Sequence, residues 1–316
     1  MRSFTLGNLS VADDQPCRVL AEIGNNHNGS VETAHALIEM AADAGADGVK
    51  FQRRHNRTLY SQALLNQPYD NPVSFGPTYG AHREALELNI VEYPDLIAHA
   101  HRRGLAFVCT AFDEESIWDL SHLAVDAIKI ASGGATDFRL IEEAVASTIP
   151  VILSTGGCTE ADIIAAHIEL MSGRSDAMLL HCTAAYPAAF HELDLRYLTR
   201  MRVLFPETVI GWSSHDNGIA MAVLAYALGA RLIEKHITLN HTMKGTDHAF
   251  SLEPMGLKKL CRDLARAHVA LGDGQKHYYD SERQPIAKMR RRQTPEGMRI
   301  TGDVDYGHPL AQPELT

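Results

Sequence analysis

The run from Leu232 to Ser251 begins as a buried strand does, with Leu232 and Ile233, and then sets Glu234, Lys235 and His236 side by side. Isolated charges in a core are costly unless paired or bound to a metal, so this placement calls for a chemical role. Other apolar runs end in the same way. In chain order their polar ends are Glu22, then Lys50 and Gln52, Thr110 and Asp113, Lys129 and Ser132, Ser154 and Thr155, His181 and Thr183, Ser213 and His215, and Glu234 with His236. Lys50 and Lys129, at the ends of different runs, can clamp a small dianion or trianion such as a phosphorylated carboxylate. Ser132, Ser154 and Ser213 can donate hydrogen bonds to the phosphoryl oxygens. His215 and His236 close neighbouring runs, so their imidazoles can meet and leave a divalent metal with open positions. One carboxylate nearby, Glu22 or Asp247, suits Mn or Mg better than zinc, because no thiolate stands at a ligand position. His27, His241 and His248 receive no role, and His181 reads as a hydrogen-bonded core residue. Gly133 with Gly134, and Gly156 with Gly157, allow close backbone approach to a ligand. Neither G-x-G-x-x-G nor a Walker A pattern occurs, so nucleotide binding has no motif behind it.

The elements that position these groups can be counted. Eight short apolar runs read as strands: 19–24, 47–52, 106–112, 127–132, 150–155, 177–182, 208–214 and 232–237. Helix-period stretches separate them. One is capped by Ser30, with Thr33 in its first turn, and closes near Gly45; another has Thr159 as cap, Asp162 at its third position and Gly173 as terminator. Continuous apolar strands alternating with amphipathic helices imply a parallel sheet covered by helices, and eight units suggest closure into a (β/α)8 TIM barrel. A doubly wound open sheet is the alternative. In such a barrel the strand ends just named form the functional rim. Residues 3–19 read as a short N-terminal hairpin able to plug the opposite mouth, and residues 53–89, rich in Pro, Gly and Asn, as a long connection of the kind that serves as a lid. The last barrel helix should end near Gly272, giving a barrel domain over 1–275 and a polar C-terminal tail, a linker or arm, over 276–316.

Composition narrows the function classes. A chain of 316 residues is long for one domain, yet barrels of about 250 residues fold as single units. A formal net charge of −10 opposes nucleic acid and anionic membrane as partners, so an anionic substrate needs a local basic pocket. Five cysteines without a C-x-x-C pair indicate neither a disulfide framework nor a zinc knuckle and fit a reducing, cytoplasmic setting. No apolar leader core follows the N-terminus and no eighteen-residue apolar run occurs, so neither secretion nor membrane spanning is expected.

Seven motifs in order, AEIGNNHNG (21–29), VKFQ (49–52), KIASG (129–133), LSTGG (153–157), HCTAAYP (181–187), IGWSSHDNG (210–218) and EKHITLNHTMKGTDHAFSLEP (234–254), resemble the N-acetylneuraminate (sialic acid) synthase family. The resemblance spans roughly residues 15–290 and includes the branch that makes the 9-phosphate. It implies a barrel that condenses phosphoenolpyruvate with an N-acylated amino sugar, such as an N-acetylmannosamine-like aldehyde or its 6-phosphate, with the help of a divalent metal. By the same resemblance Lys50, Thr110, Lys129, Ser132, Ser154 and Ser213 hold phosphoenolpyruvate, and His215 and His236 bind Mn or Mg. Glu22 lies beside the metal, while Gln52, Tyr186 and Asp247 contact the sugar. The implied reaction joins C3 of phosphoenolpyruvate to the aldehyde carbon, adds water at C2 and releases phosphate; the base for that water is Glu22 or a metal-bound hydroxide. The chain also departs from the family pattern. Gly134 replaces an acidic residue, for which Asp137 is a substitute, and Asn240 and His241 replace an Asp and a basic residue. TPEGMRIT resembles only the start of the small antifreeze-like domain that relatives carry, and Arg290, Arg291 and Arg292 offer substitute positive charge or form a solvated run. These departures keep two other readings open: a synthase retuned to a different sugar aldehyde, and a non-catalytic barrel that binds phosphoenolpyruvate or sugar as a partner subunit. A homodimer is implied by analogy alone.

Overall fold

The computed structural model describes residues 2–173 and 175–300. Internal contacts divide the chain into a unit ending at Ala270 and a unit starting at Leu271. The first opens with a hairpin, β1 (Ser3–Leu6) and β2 (Leu9–Ala12). Eight parallel strands follow: β3 (Arg18–Gly24), β4 (Gly48–Arg53), β5 (Ala106–Ala111), β6 (Ala127–Ile130), β7 (Val151–Ser154), β8 (Ala177–Cys182), β9 (Val209–Ser214) and β10 (Leu232–His236). Each pairs with the next, and β10 returns to β3 with His236 opposite Glu22, so the sheet is a closed (β/α)8 barrel. Closure excludes the open doubly wound sheet, which would leave two edges.

The strands are apolar throughout because both of their faces are buried. Side chains alternate between faces, so Val19, Ala21 and Ile23 pack beneath the helices. Leu20, Val108, Ile152, Met178, Leu180, Val209 and Leu232 instead fill the barrel from within, together with Phe4, Leu6 and Val11 of the hairpin. The hairpin therefore seals the N-terminal mouth. Its turn needs Gly7, whose φ is 57° and whose added Cβ would come within 2.7 Å of Asp126 Oδ1.

Local capping follows the residue types. Ser30 Oγ accepts from Thr33 N at the start of helix Val31–Ala44, and Gly45 ends that helix in the left-handed region. Thr159 and Asp162 form a capping box on helix Glu160–Leu170. That helix stops earlier than expected, with Met171 rather than Gly173 as its cap, in a right-handed final turn that needs no glycine. The connection after β4 is more ordered than its composition suggests: Asn56–Leu59, Gln62–Leu65 and Tyr79–Leu86 are helical, the last two capped by Ser61 and Thr78.

The second unit has regular secondary structure of its own. It holds helix Asp280–Met289 and an antiparallel hairpin, β11 (Arg291–Thr294) and β12 (Gly297–Ile300). Arg290 caps the helix, and Arg291 in β11 donates to Met298 O at 2.9 Å. Residues beyond Ile300, part of the tail expected from the sequence, lie outside the described residues. No helix among the described residues is long and apolar enough to cross a membrane.

Candidate active site

Alternation along the strands sorts the charged residues. On β10, Glu234 and His236 face the barrel interior, while Lys235 faces the helices, where its ammonium meets Asp216 Oδ1 and Ser214 Oγ, each at 2.8 Å. Inside, four ionisable groups from four strands interlock. Lys50 Nζ lies 2.9 Å from Glu22 Oε2 and 3.8 Å from Glu234 Oε1, and donates to Thr110 Oγ1 at 2.7 Å. Lys129 Nζ donates to Glu234 Oε1 at 2.5 Å, and Ser213 Oγ donates to the same oxygen at 3.1 Å. Gln52 Nε2 donates to Glu22 Oε1 at 2.7 Å. The lysines are thus not a bare cationic clamp. Each has a carboxylate partner, which is what allows two ammonium groups to be almost fully buried.

The two carboxylates are driven apart. Burial pushes the Glu22 carboxyl above the ordinary carboxylate range, although Lys50 pulls against it. Burial acts in the same sense on Glu234, but Lys129 and Lys50 outweigh it and bring that group down to about 2. Burial opposes the charge on Lys50, yet Glu22 and Glu234 more than restore it. On Lys129 burial prevails and its pKa is lowered.

His215 and His236 face one another with ring centroids 5.4 Å apart. His215 Nδ1 sits 2.9 Å from Thr183 O, so Nδ1–H donates there and Nε2 keeps its lone pair. His236 Nδ1 is buried without a hydrogen bond and lies 3.9 Å from Asp247 Oδ2. Burial, together with the neighbouring His236, lowers His215 to about 3, and burial lowers His236 to about 4, so both rings are neutral at pH 7. Neutral imidazoles, one with its tautomer set by a carbonyl, have the donor chemistry a divalent metal requires, and the residues fit such an ion. No group of three or more His, Cys, Asp or Glu is gathered for a metal among the described residues, so water or substrate would complete the coordination. A cysteine is close by: Cys182 Sγ is 3.8 Å from His215 Nδ1. Burial raises its pKa, so it remains a thiol rather than a thiolate.

These groups line a cavity of about 310 Å³ at the C-terminal rim. Glu22, Lys50, Gln52, Thr110, Lys129, Ser132, Ser154, Tyr186, Ser213, His215, His236 and Asp247 all reach it, so every site residue expected from the sequence converges on one space. Ser154 Oγ is buried without a partner, whereas Ser132 Oγ accepts from Gly156 N at 2.9 Å. A Cβ on residue 156 would come within 2.8 Å of that hydroxyl, so Gly156 makes room for a side chain rather than directly for a ligand. The Tyr186 ring stands 4.1 Å from that of His215. A larger hollow of about 870 Å³ runs beside the cavity past His181 and Tyr197. Its Arg200 is already paired with Glu160, and its lining includes neither the lysine–carboxylate cluster nor the facing histidine pair.

Several other polar residues prove structural. Asp137 caps helix Phe138–Ala146 by accepting from Leu140 N and does not replace the acid missing at Gly134. Asp113 caps helix Glu114–Ser121, Thr155 donates to Leu180 O, and His181 points outward to Leu193 O at 2.8 Å. Asn240 accepts from Thr242, and His241 meets Ser251 O. His27 accepts from Gly29 N and His248 meets Thr238 Oγ1. Three charged residues of the cavity had no role from the sequence. Glu234 could have been found by parity with His236, whereas Arg54 and Arg83 lie beyond β4, where strand periodicity gives no signal.

Fold and site together define a (β/α)8 enzyme with a buried, charge-balanced reaction cavity at its C-terminal rim. Comparison with known proteins gives the family. The model of the NeuB family matches residues 37–276. The human N-acetylneuraminate-9-phosphate synthase is 34% identical over 96% of this chain and 87% of its own length. The N,N'-diacetyllegionaminic acid synthase of Campylobacter jejuni is 37% identical over 86% of this chain and 83% of its own. Among solved structures, the N-acetylneuraminic acid synthetase of Leptospira borgpetersenii, in complex with citrate, superposes with a TM-score of 0.79 at 31% identity, covering 90% of this chain and 95% of that one. This chain belongs to the NeuB family, and it is a carbon–carbon bond-forming enzyme of the sialic acid synthase kind.

Proposed function

We propose that the protein condenses phosphoenolpyruvate with the open-chain aldehyde of an amino sugar, giving a nonulosonic acid and inorganic phosphate. The observation that carries this reading is the single cavity in which Lys50, Lys129, Glu22 and Glu234 meet His215 and His236. The named syntheses of the human and Campylobacter relatives support it.

Lys50 and Lys129 bear on the donor's carboxylate and phosphate, and Ser154, with its free hydroxyl, and Ser132 donate to its oxygens. Glu234 holds Lys129 and Ser213 in position before substrate arrives, so little reorganisation is needed at the moment of reaction. His215 and His236 would hold Mn or Mg, which when bound supplies Lewis-acid polarisation of the aldehyde. C3 of the donor forms a bond to the aldehyde carbon, whose oxygen takes a proton. Water then adds at C2, Glu22 accepts its proton, and the tetrahedral intermediate collapses with loss of phosphate. Gln52, Tyr186 and Asp247 lie where the sugar would extend.

The test is phosphate release that requires phosphoenolpyruvate, an acetamido-sugar aldehyde and Mn or Mg together. Failure across a panel of acetamido sugars and their 6-phosphates would overturn the proposal, and binding of phosphoenolpyruvate without turnover would identify a binding barrel instead.

A further inference from the structure

Arg54 stands just past β4 and is 3% exposed. Its guanidinium lies 4.3 Å from the centre of the Phe112 ring. It donates through Nη1 to Glu87 Oε1 at 3.0 Å and to Asn25 Oδ1 at 3.2 Å, and through Nη2 to Gln52 Oε1. Those partners come from the loop after β3, from β4 and from the C-cap of helix Tyr79–Leu86. The ion pair with Glu87 explains why a guanidinium can be buried here. It does not explain why a second arm is directed at an uncharged amide.

The amide has a polarity, and Arg54 sets it. A guanidinium donates and never accepts, so the end of Gln52 that faces it must be the carbonyl Oε1. The carboxamide is planar with its two ends opposed, which turns Nε2 the other way, where it donates to Glu22 Oε1 at 2.7 Å. With the amide reversed, Nε2 would face the N–H groups of the cation and Oε1 would face the carboxylate, and both contacts would repel. A relay of fixed direction therefore runs from Arg54 through Gln52 to Glu22, whose Oε2 lies 2.9 Å from Lys50 Nζ. The backbone keeps space for it. Gly24 has a φ of 55°, and a Cβ there would come within 3.1 Å of Glu22 Oε1 and 3.2 Å of Gln52 Nε2.

Resting on the reading in the preceding subsection, we propose that Arg54 is a positioning residue for the condensation: it fixes the Gln52 amide and, through it, the plane of the Glu22 carboxylate. A group that takes a proton from water must hold its lone pair toward that water, and small misplacements are costly in rate.

The test reads turnover together with the Gln52 side-chain resonance of the full chain labelled on glutamine nitrogen, which Gln52→Leu identifies by its loss. In the native protein the Gln52 Nε2 protons should exchange with solvent at least about tenfold more slowly than those of an exposed glutamine. Free exchange would overturn the relay, and that measurement stands even if Arg54→Met fails to fold. Arg54→Met should shift the resonance and lower kcat by about tenfold or more, while KM for phosphoenolpyruvate changes by less than about twofold. Arg54→Lys still donates and cannot accept, so it should restore most of the lost kcat. Adding Arg54→Met to Gln52→Leu should lower kcat by no more than about twofold beyond Gln52→Leu alone. Losses that multiply in the double variant, or a resonance unmoved by Arg54→Met, would reduce Arg54 to an ion-pair partner of Glu87 and overturn the proposal. A native protein without turnover on any acetamido-sugar aldehyde would instead sink the synthase reading, and the resonance would still decide whether Arg54 sets Gln52.

Discussion

Glu234 and Lys235 are neighbours in the chain and serve opposite sides of the barrel wall. Replacing Lys235 by Met leaves Asp216 buried without its counter-charge, a change that typically costs about 3–5 kcal/mol. Urea unfolding should show that loss while phosphoenolpyruvate affinity stays unchanged. Glu234→Gln removes the partner of Lys129 and should weaken phosphoenolpyruvate binding as well as stability. Loss of ligand by the folded Lys235→Met protein would mean that the two faces are misassigned. At this scale the sequence was legible wherever a residue ended a strand, because period-two alternation fixes which way it points; Lys50, Lys129, His215 and His236 were all readable in that way. Glu234 was visible but lost among its charged neighbours, and the pairing that neutralises each lysine depends on which strands become adjacent around the barrel.

The β1–β2 hairpin shows how one element completes another. Phe4 and Leu6 are each 1% exposed and cap the inward residues of the barrel strands. Phe4→Ala should cost about 3–5 kcal/mol by leaving a cavity, with phosphoenolpyruvate affinity intact because the site lies at the other rim. A measured loss below about 1 kcal/mol would show that the barrel floor holds without it. The eight strands and the hairpin were legible from apolar runs and turn residues. The connection after β4 was not, since its prolines and glycines mask helices as short as Asn56–Leu59 and Gln62–Leu65, the second of which is held by its Ser61 cap. Arg83 was hidden for the same reason, because nothing in a single sequence shows where such a connection folds back.

Acid response belongs to the whole molecule, because it sums over buried groups. Burial, with the charge of Arg54, lowers the His27 imidazole to about 4. Its folded pKa is below the unfolded value near 6.5, so its contribution to stability is complete above that pH, fades as pH falls toward about 4 and changes no further below. The loss amounts to on the order of 3 kcal/mol. His27→Asn keeps an acceptor for Gly29 N and removes the titration, so its unfolding free energy should fall less between pH 7 and pH 4; an unchanged slope would exclude His27 as a source.

The sealed floor has a kinetic consequence. Because Phe4, Leu6 and Val11 fill the far end, among the described residues the cavity opens at the C-terminal rim. On the proposed reaction, whatever docks on Lys50 and Lys129 would arrive before the molecule that rests nearer the rim, and the phosphate would leave after the sugar acid. A catalyst with one door works in a fixed queue, in which the earliest guest also leaves the last trace.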